Sequence, residues 1–210
     1  LYTYPDRITD ELLETVANEE KLVKYFDIPL QHVNGDILKR MNRKGDYKSL
    51  SALIDKIRAK VPGVTLRTTL ITGFPGETDA QFCELAQFVK EKRFDRLGCF
   101  TYSAEEDTVA AAFPDQIDEQ TKQDRMENIM EMQLTVAAEK NEEKVGTVTE
   151  VLIEGWDDYI KCYFGRTPAD APEVDGKIFF MSARPLVIGE FVRVRINDTL
   201  DYDLLGELEE

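Results

Sequence analysis

Four short segments that follow predicted strands carry the residue types most able to hold a ligand. They are Tyr4-Pro5, Pro29–His32, Gly73–Thr78 and Tyr102–Asp107. In parallel α/β domains ligands bind at the carboxyl ends of the strands, so we expect the four segments to gather on one rim.

Gln31 and His32 place an amide and the chain's only imidazole just past a strand end. An amide both donates and accepts hydrogen bonds, so Gln31 could bind the edge of an adenine or a carboxylate. The alternative is that its amide forms hydrogen bonds with backbone groups of its own loop. His32 has no catalytic partner beside it, which favours a loop-stabilising or surface role. The sequence identifies no catalytic residue.

The segment Gly73-Phe-Pro-Gly-Glu-Thr78 joins a strand to a helix. Glycine allows close backbone approach to a ligand, and the first turn of a helix offers free N–H donors. A tight turn capped by Thr78 would look similar, and the local sequence leaves both interpretations open.

Arg67 and Thr69 are polar residues within a strand rich in β-branched residues. An arginine and hydroxyls on a barrel strand can hold a carboxylate and ribose hydroxyls. The alternatives are a solvated Arg67 on the outer face and, for Asp27, a salt bridge within the barrel.

These residues are positioned by a pattern of alternating strands and helices that extends to about Asn141. The predicted strands are Leu1–Tyr4, Tyr25–Leu30, Val64–Thr72 and Arg96–Tyr102. Such alternation makes parallel strands with helical crossovers. Four strands are too few to close a barrel, so the pattern allows an open sheet or an incomplete barrel.

The pattern changes near Glu143, where five short alternating strands separated by Gly, Pro and Asp turns begin. About 65 residues with five strands predict a small antiparallel β-barrel. We therefore predict two domains, residues 1–142 and 143–210.

Composition narrows the class of protein. Cys83, Cys99 and Cys162 match neither a disulfide framework nor a metal-ligand spacing, so we expect no metal site, buried reduced thiols and a cytoplasmic location. No apolar run is long enough for a membrane span.

The net charge is −15, and residues 143–210 hold 7 Lys and Arg against 15 Asp and Glu. Such a surface disfavours nucleic acid and would attract a basic protein.

Three blocks, in order and correctly spaced, resemble the methylthiotransferase family of radical-SAM enzymes. The stretch Asp27–Arg43 is similar to the family's "PLQ-S/H … VLKxMxR" block, and Arg67–Thr78 looks like its "GFPGET" block. The C-terminal barrel resembles the TRAM domain. The resemblance implies that residues 1–142 are the later part of a six-stranded partial TIM-like barrel and that residues 143–210 bind the substrate.

The family's chemistry implies S-adenosylmethionine and two [4Fe-4S] clusters. The cysteine sets that hold such clusters are not found in this sequence, so we expect this chain to bind no cluster and to perform no turnover alone. The residues expected to contact S-adenosylmethionine are Gln31, Arg67 and Thr69, with Gly73, Phe74 and Tyr102 lining the pocket.

The family divides by substrate. One branch modifies an adenosine in tRNA, and the other modifies an aspartate of the basic ribosomal protein uS12. The Pro29-Leu-Gln-His32 sequence and the acidic C-terminal domain resemble the uS12 branch. The alternatives are a tRNA methylthiotransferase and a non-catalytic protein or RNA interaction module.

Overall fold

The computed structural model describes residues 3–209. The chain divides into two compact units, Leu1–Gln133 and Leu134–Glu210. Within the described residues, no helix is both long enough and apolar enough to cross a lipid bilayer.

The first unit contains a parallel three-stranded sheet, in the order β1-β2-β3. Its strands are β1 (Tyr25–Asp27), β2 (Thr65–Thr72) and β3 (Arg96–Thr101). The helices are α1 (Asp10–Asn18), α2 (Gly35–Arg40), α3 (Tyr47–Lys60), α4 (Asp79–Lys92) and α5 (Glu119–Glu142), the last of which continues into the second unit. Part of the strand predicted at Leu1–Tyr4 lies outside the described residues. Thr3 N–H donates to Asp27 C=O at 2.8 Å, alongside β1.

The helices begin where the sequence supplies a cap. Thr78 accepts from Gln81 N–H while the Gln81 side chain accepts from Thr78 N–H, a reciprocal capping box at the start of α4. Asp46 and Ser49 form the same arrangement at α3. The buried apolar residues of both helices belong to the same hydrophobic core as Leu66 and Leu70 of the central strand β2.

Strand β2 has two different faces, because successive side chains point to opposite sides of a sheet. Leu66, Thr68 and Leu70 are fully buried against the helices. Arg67, Thr69 and Ile71 alternate with them and stay partly exposed on the other face. Arg67 and Thr69 therefore share the face that, in a barrel, points inward.

The second unit forms the predicted barrel from β4 (Val148–Asp157), β5 (Cys162–Arg166), β6 (Ile178–Met181), β7 (Phe191–Leu200) and β8 (Asp203–Leu208). It is closed in the order β4-β5-β6-β8-β7. The expectation of a wholly antiparallel barrel was wrong in one pairing, because β6 and β8 run parallel. Strand directions cannot alternate all the way round a closed ring of five, so at least one neighbouring pair must be parallel.

The cysteines follow the expected pattern at two positions of three. Cys99 and Cys162 are buried, and burial raises the pKa of the Cys99 thiol to about 12. Cys83 is exposed, so the expectation that it packs as a small apolar side chain was wrong. It lies on α4 outside the buried stripe formed by Leu85, Phe88 and Val89.

Candidate functional site

A cleft of about 360 Å³ opens at the carboxyl ends of the three strands. Its walls come from the loop after β1, from α2 and the residues that follow it, from the ends of β2 and β3, and from the segment around Ala110. The lining residues are Gln31, Arg40, Met41, Asn42, Arg43, Ile71, Phe74, Tyr102, Val109 and Ala110. This is the rim at which parallel α/β domains bind their ligands.

Gln31 enters the cleft from a strained backbone. Its φ is 68°, in the left-handed region that non-glycine residues seldom occupy. Two backbone hydrogen bonds of 2.8 Å hold it there, because its N–H donates to Thr69 C=O and its C=O accepts from Ile71 N–H. The side-chain Oε1 is buried without a hydrogen-bond partner. Such strain and such an unsatisfied acceptor are typical of ligand sites.

Aromatic side chains form the opposite wall. The rings of Phe74 and Tyr102 meet edge to face at 5.2 Å, and Phe74 meets Phe113 at 6.2 Å. Tyr102 is 9% exposed, and its hydroxyl is buried without a hydrogen-bond partner. The cleft thus combines apolar surface with two unsatisfied polar atoms, Gln31 Oε1 and Tyr102 Oη, which a small polar ligand would satisfy.

The cleft also holds two guanidinium groups. Arg43 donates to Pro29 C=O and lies 4.9 Å above the Tyr4 ring, so it ties the α2 region to the loop after β1. Arg40 lies 4.9 Å from the Phe113 ring centre and packs against Gly76. A methyl group at Gly76 would overlap Arg40 Nη1, which explains the second glycine of the Gly73–Thr78 segment.

Glu77 organises the loops behind the cleft from a position that is 2% exposed. Its carboxylate accepts from Gly73 N–H and from Arg125 at 3.0 Å, and it lies 3.3 Å from His32 Nε2. Asn34 N–H donates to His32 Nδ1 at 2.9 Å, so the imidazole proton is on Nε2 and points to Glu77. One carboxylate therefore joins the loops after β1 and β2 to α5.

The predicted site residues divide into two groups. Gln31, Phe74 and Tyr102 come together in the cleft. Arg67 lies further down β2, where its Nη1 donates to Asp27 Oδ2 at 2.9 Å, and Thr69 shares its face.

Gly73 was expected to line the pocket but is not among the residues that line the cleft, and a Cβ there would overlap the Lys122 side chain. Its N–H donates to the Glu77 carboxylate. His32 has the loop-stabilising role that the sequence favoured.

Sequence reasoning missed Arg40 and Glu77. In the sequence Arg40 is a basic residue in the last turn of a helix, the usual place for a solvated charge. Glu77 looks like part of a helix start. The only signal for its role was that the chain's one histidine and this carboxylate both follow strands whose ends meet.

Among residues 3–209 no group of three or more His, Cys, Asp or Glu side chains could hold a metal ion. The orphaned Gln31 Oε1 and Tyr102 Oη beside Ile71 and Phe74 suit a ligand with a flat apolar face and hydrogen-bonding edges, as a nucleoside has. The cleft therefore fits an adenosyl group.

Comparison with known proteins gives consistent matches over both units. Residues 1–89 match the Radical SAM superfamily and residues 145–208 match the TRAM domain. The coproporphyrinogen III oxidase HemN from Escherichia coli, a radical SAM enzyme, shares the fold. Its TM-score is 0.53 at 24% identity, over 65% of this chain and 32% of that one.

Two curated relatives match nearly the whole chain. It is 50% identical over 206 residues to the ribosomal protein uS12 methylthiotransferase RimO of Clostridium novyi, covering 98% of this chain and 46% of the relative. It is 48% identical over 207 residues to RimO of Caldanaerobacter subterraneus, covering 99% and 47%. The chain thus spans about half the length of the curated relatives it matches.

The strands, the cleft and the matched regions define a radical-SAM barrel segment followed by a TRAM domain, which confirms the predicted fold. The chain belongs to the radical-SAM methylthiotransferase family. Membership of the superfamily implies S-adenosylmethionine and iron–sulfur chemistry.

Proposed function

We propose that this chain supplies the S-adenosylmethionine-binding rim and the TRAM domain of an enzyme that methylthiolates an aspartate of ribosomal protein uS12. The observation that carries the proposal is the strand-end cleft with two buried, unsatisfied polar atoms, in a chain about half identical to RimO. Two [4Fe-4S] clusters complete the enzyme. Its relatives are about twice as long as this chain, which leaves room for the cluster-binding parts.

The chain's own residues bind and orient S-adenosylmethionine, which supplies the radical chemistry when bound. Gln31 Oε1 accepts a hydrogen bond from the adenosyl group, Phe74 packs on its apolar surface, and Tyr102 Oη bonds a polar edge. Arg67 and Thr69 stay predictions for the cofactor's remaining polar groups. Gly73 acts through the backbone by holding the loop that carries Phe74.

Replacing Tyr102 with phenylalanine should separate a ligand contact from a structural role. We expect weaker S-adenosylmethionine binding, by roughly fivefold, because a neutral hydrogen bond contributes about 1 kcal/mol. The stability of the unliganded chain should be unchanged or higher, because the hydroxyl it loses has no partner there. Equilibrium dialysis with the complete enzyme and urea unfolding of this chain measure the two effects. Loss of stability together with unchanged affinity would show that the hydroxyl serves folding alone.

We propose uS12 as the partner because the charges of the second unit suit a basic protein. Residues 143–210 carry a balance of −8. Arg193 and Arg195 are the only two cations of this stretch that lie within two positions of each other in the sequence. Arg195 donates to both carboxylate oxygens of Glu209, at 2.9 and 2.7 Å. A phosphate would therefore have to compete with that carboxylate. We retain the division at residues 142 and 143, and a cytoplasmic location, as part of this proposal.

Competition between uS12 and tRNA for the chain tests the partner. Labelled chain should bind uS12 at physiological ionic strength and should bind bulk tRNA no more tightly than non-specific nucleic-acid binders do, with a dissociation constant of about 10⁻⁶ M or weaker. Salt dependence alone is not decisive, because steering of a basic protein also weakens with salt. Tight tRNA binding that uS12 cannot displace would promote the tRNA branch. Binding of either partner without any methylthiolation by the complete enzyme would favour an interaction module.

A further inference from the structure

The charge of the cleft is opposite to that of the chain. The chain carries −15 overall, yet the lining of the cleft contains two arginines, Arg40 and Arg43, and no carboxylate. Positive charge at a partly desolvated site attracts an anionic group more strongly than the same charge in open water. The cleft therefore favours a set of ligands that includes an anion.

Arg40 is the arginine whose donors are available for that anion. Its Nη2 lies 3.8 Å from Asp115 Oδ2, longer than a hydrogen bond, and the Asp115 side chain is 66% exposed. No hydrogen bond to another described residue takes up its N–H groups. Gly76 and the Phe113 ring hold the guanidinium in place. Arg43, by contrast, already donates to Pro29 C=O.

S-adenosylmethionine does not by itself supply the missing negative charge. Its sulfonium and ammonium groups outweigh its one carboxylate, so the cofactor is a net cation at neutral pH. A cleft with two arginines and no carboxylate suits such a cation better when an anion enters with it. The side chain of a substrate aspartate is an anion of that kind, and on the proposed function it must come close to the cofactor.

Resting on the proposed function, we propose that Arg40 binds the carboxylate of the substrate aspartate and so selects an acidic side chain for modification. The planar guanidinium matches a carboxylate with two parallel hydrogen bonds, a geometry that a lysine ammonium cannot reproduce. A site built to bond a charged group also rejects the analogue that lacks it. Arg40 is thus a specificity residue, and asparagine in place of the aspartate is its discriminating substrate.

The test compares R40Q and R40K in the complete enzyme that contains this chain, with uS12 carrying either aspartate or asparagine at the modified position. Lys39→Gln is the matched control, because Lys39 is the exposed neighbouring cation on α2. For the aspartate substrate we expect R40Q to lower kcat/KM roughly 10- to 150-fold, the loss of a hydrogen bond to a charged group. The kcat/KM of R40K should lie between those of R40Q and the unsubstituted enzyme. The kcat/KM of Lys39→Gln should stay within about twofold of the unsubstituted value. With the asparagine substrate, R40Q and the unsubstituted enzyme should be nearly equal.

Affinity for S-adenosylmethionine decides which carboxylate Arg40 holds and shows that the variants fold. The dissociation constant of the cofactor should be unchanged in R40Q. If it rises by the same factor as kcat/KM falls, Arg40 binds the cofactor's own carboxylate and the proposal is overturned. Unchanged kcat/KM in R40Q would also overturn it while leaving the proposed function intact. Failure of the unsubstituted enzyme to modify uS12 would instead reject the proposed function, and the Arg40 assignment with it.

Discussion

Replacing Glu77 with alanine is expected to lower the free energy of unfolding of the first unit by about 3 kcal/mol, at the low end for a broken buried ion pair because Arg125 keeps its exposed partner Asp79. The carboxylate has no exposed side-chain surface. Without it, Arg125, His32 Nε2 and Gly73 N–H each lose an acceptor in the interior. The loops after β1 and β2 should loosen together, because this one side chain joins them.

The chain offers a matched control for the Glu77 variant. Asp79 binds the same Arg125 at 2.6 Å, but its side chain is 95% exposed. Asp79→Ala should cost no more than about 1 kcal/mol, because solvent screens an exposed pair. Equal losses in the two variants would contradict the assignment of Glu77 as the link between the loops.

The unfolding of the two units can be followed separately during chemical denaturation. Far-UV circular dichroism follows the helices, which begin in the first unit, whereas the chain's single tryptophan, Trp156, lies in β4 of the second. Glu77→Ala should shift the helical transition and leave the transition of Trp156 fluorescence where it was. A shift of both transitions would point to a wider disruption than the loss of one local network.

Features that depend on neighbouring residues could be predicted from the sequence. Apolar residues at helical spacing before the Pro62-Gly63 stop predict a helix at Tyr47–Lys60, and these are the bounds of α3. Thr78 caps α4 as expected. Cap residues and Pro-Gly stops act within one helical turn, so a short window of sequence contains the whole interaction. The change from a strand–helix pattern to short strands near Glu143 is local in the same sense.

Features that depend on residues far apart in the chain could not be predicted. Glu77 contacts His32 and Arg125, which lie 45 and 48 residues away in the sequence, and no motif predicts these contacts. The left-handed backbone of Gln31 is fixed by β2, which lies nearly forty residues later. A closed barrel of five strands requires a parallel pair, but the local sequence does not show that this pair is β6 and β8.

For Arg67 the sequence predicts a contact with the cofactor, whereas the structure shows an ion pair. Its partner is Asp27, at 2.9 Å, and the two side chains are 12% and 14% exposed. Arg67→Ala should lower the free energy of unfolding by about 3 kcal/mol, at the low end for buried pairs because some solvent reaches both groups. The double replacement Asp27→Ala, Arg67→Ala should be less destabilised than the sum of the single variants, because neither charge is left without its partner.

The same double variant decides between the two roles of Arg67. If Arg67 contacts S-adenosylmethionine, the single and the double variants of the complete enzyme should both bind the cofactor roughly 10- to 150-fold more weakly, because a hydrogen bond to a charged group is lost in each. This is the outcome that the sequence predicts. If Arg67 serves only to neutralise Asp27, the single variant binds weakly because an unpaired carboxylate disturbs the inner face, and the double variant recovers. Near-normal affinity in the double variant would therefore remove Arg67 from the cofactor site and leave Gln31, Phe74 and Tyr102 as its residues on this rim.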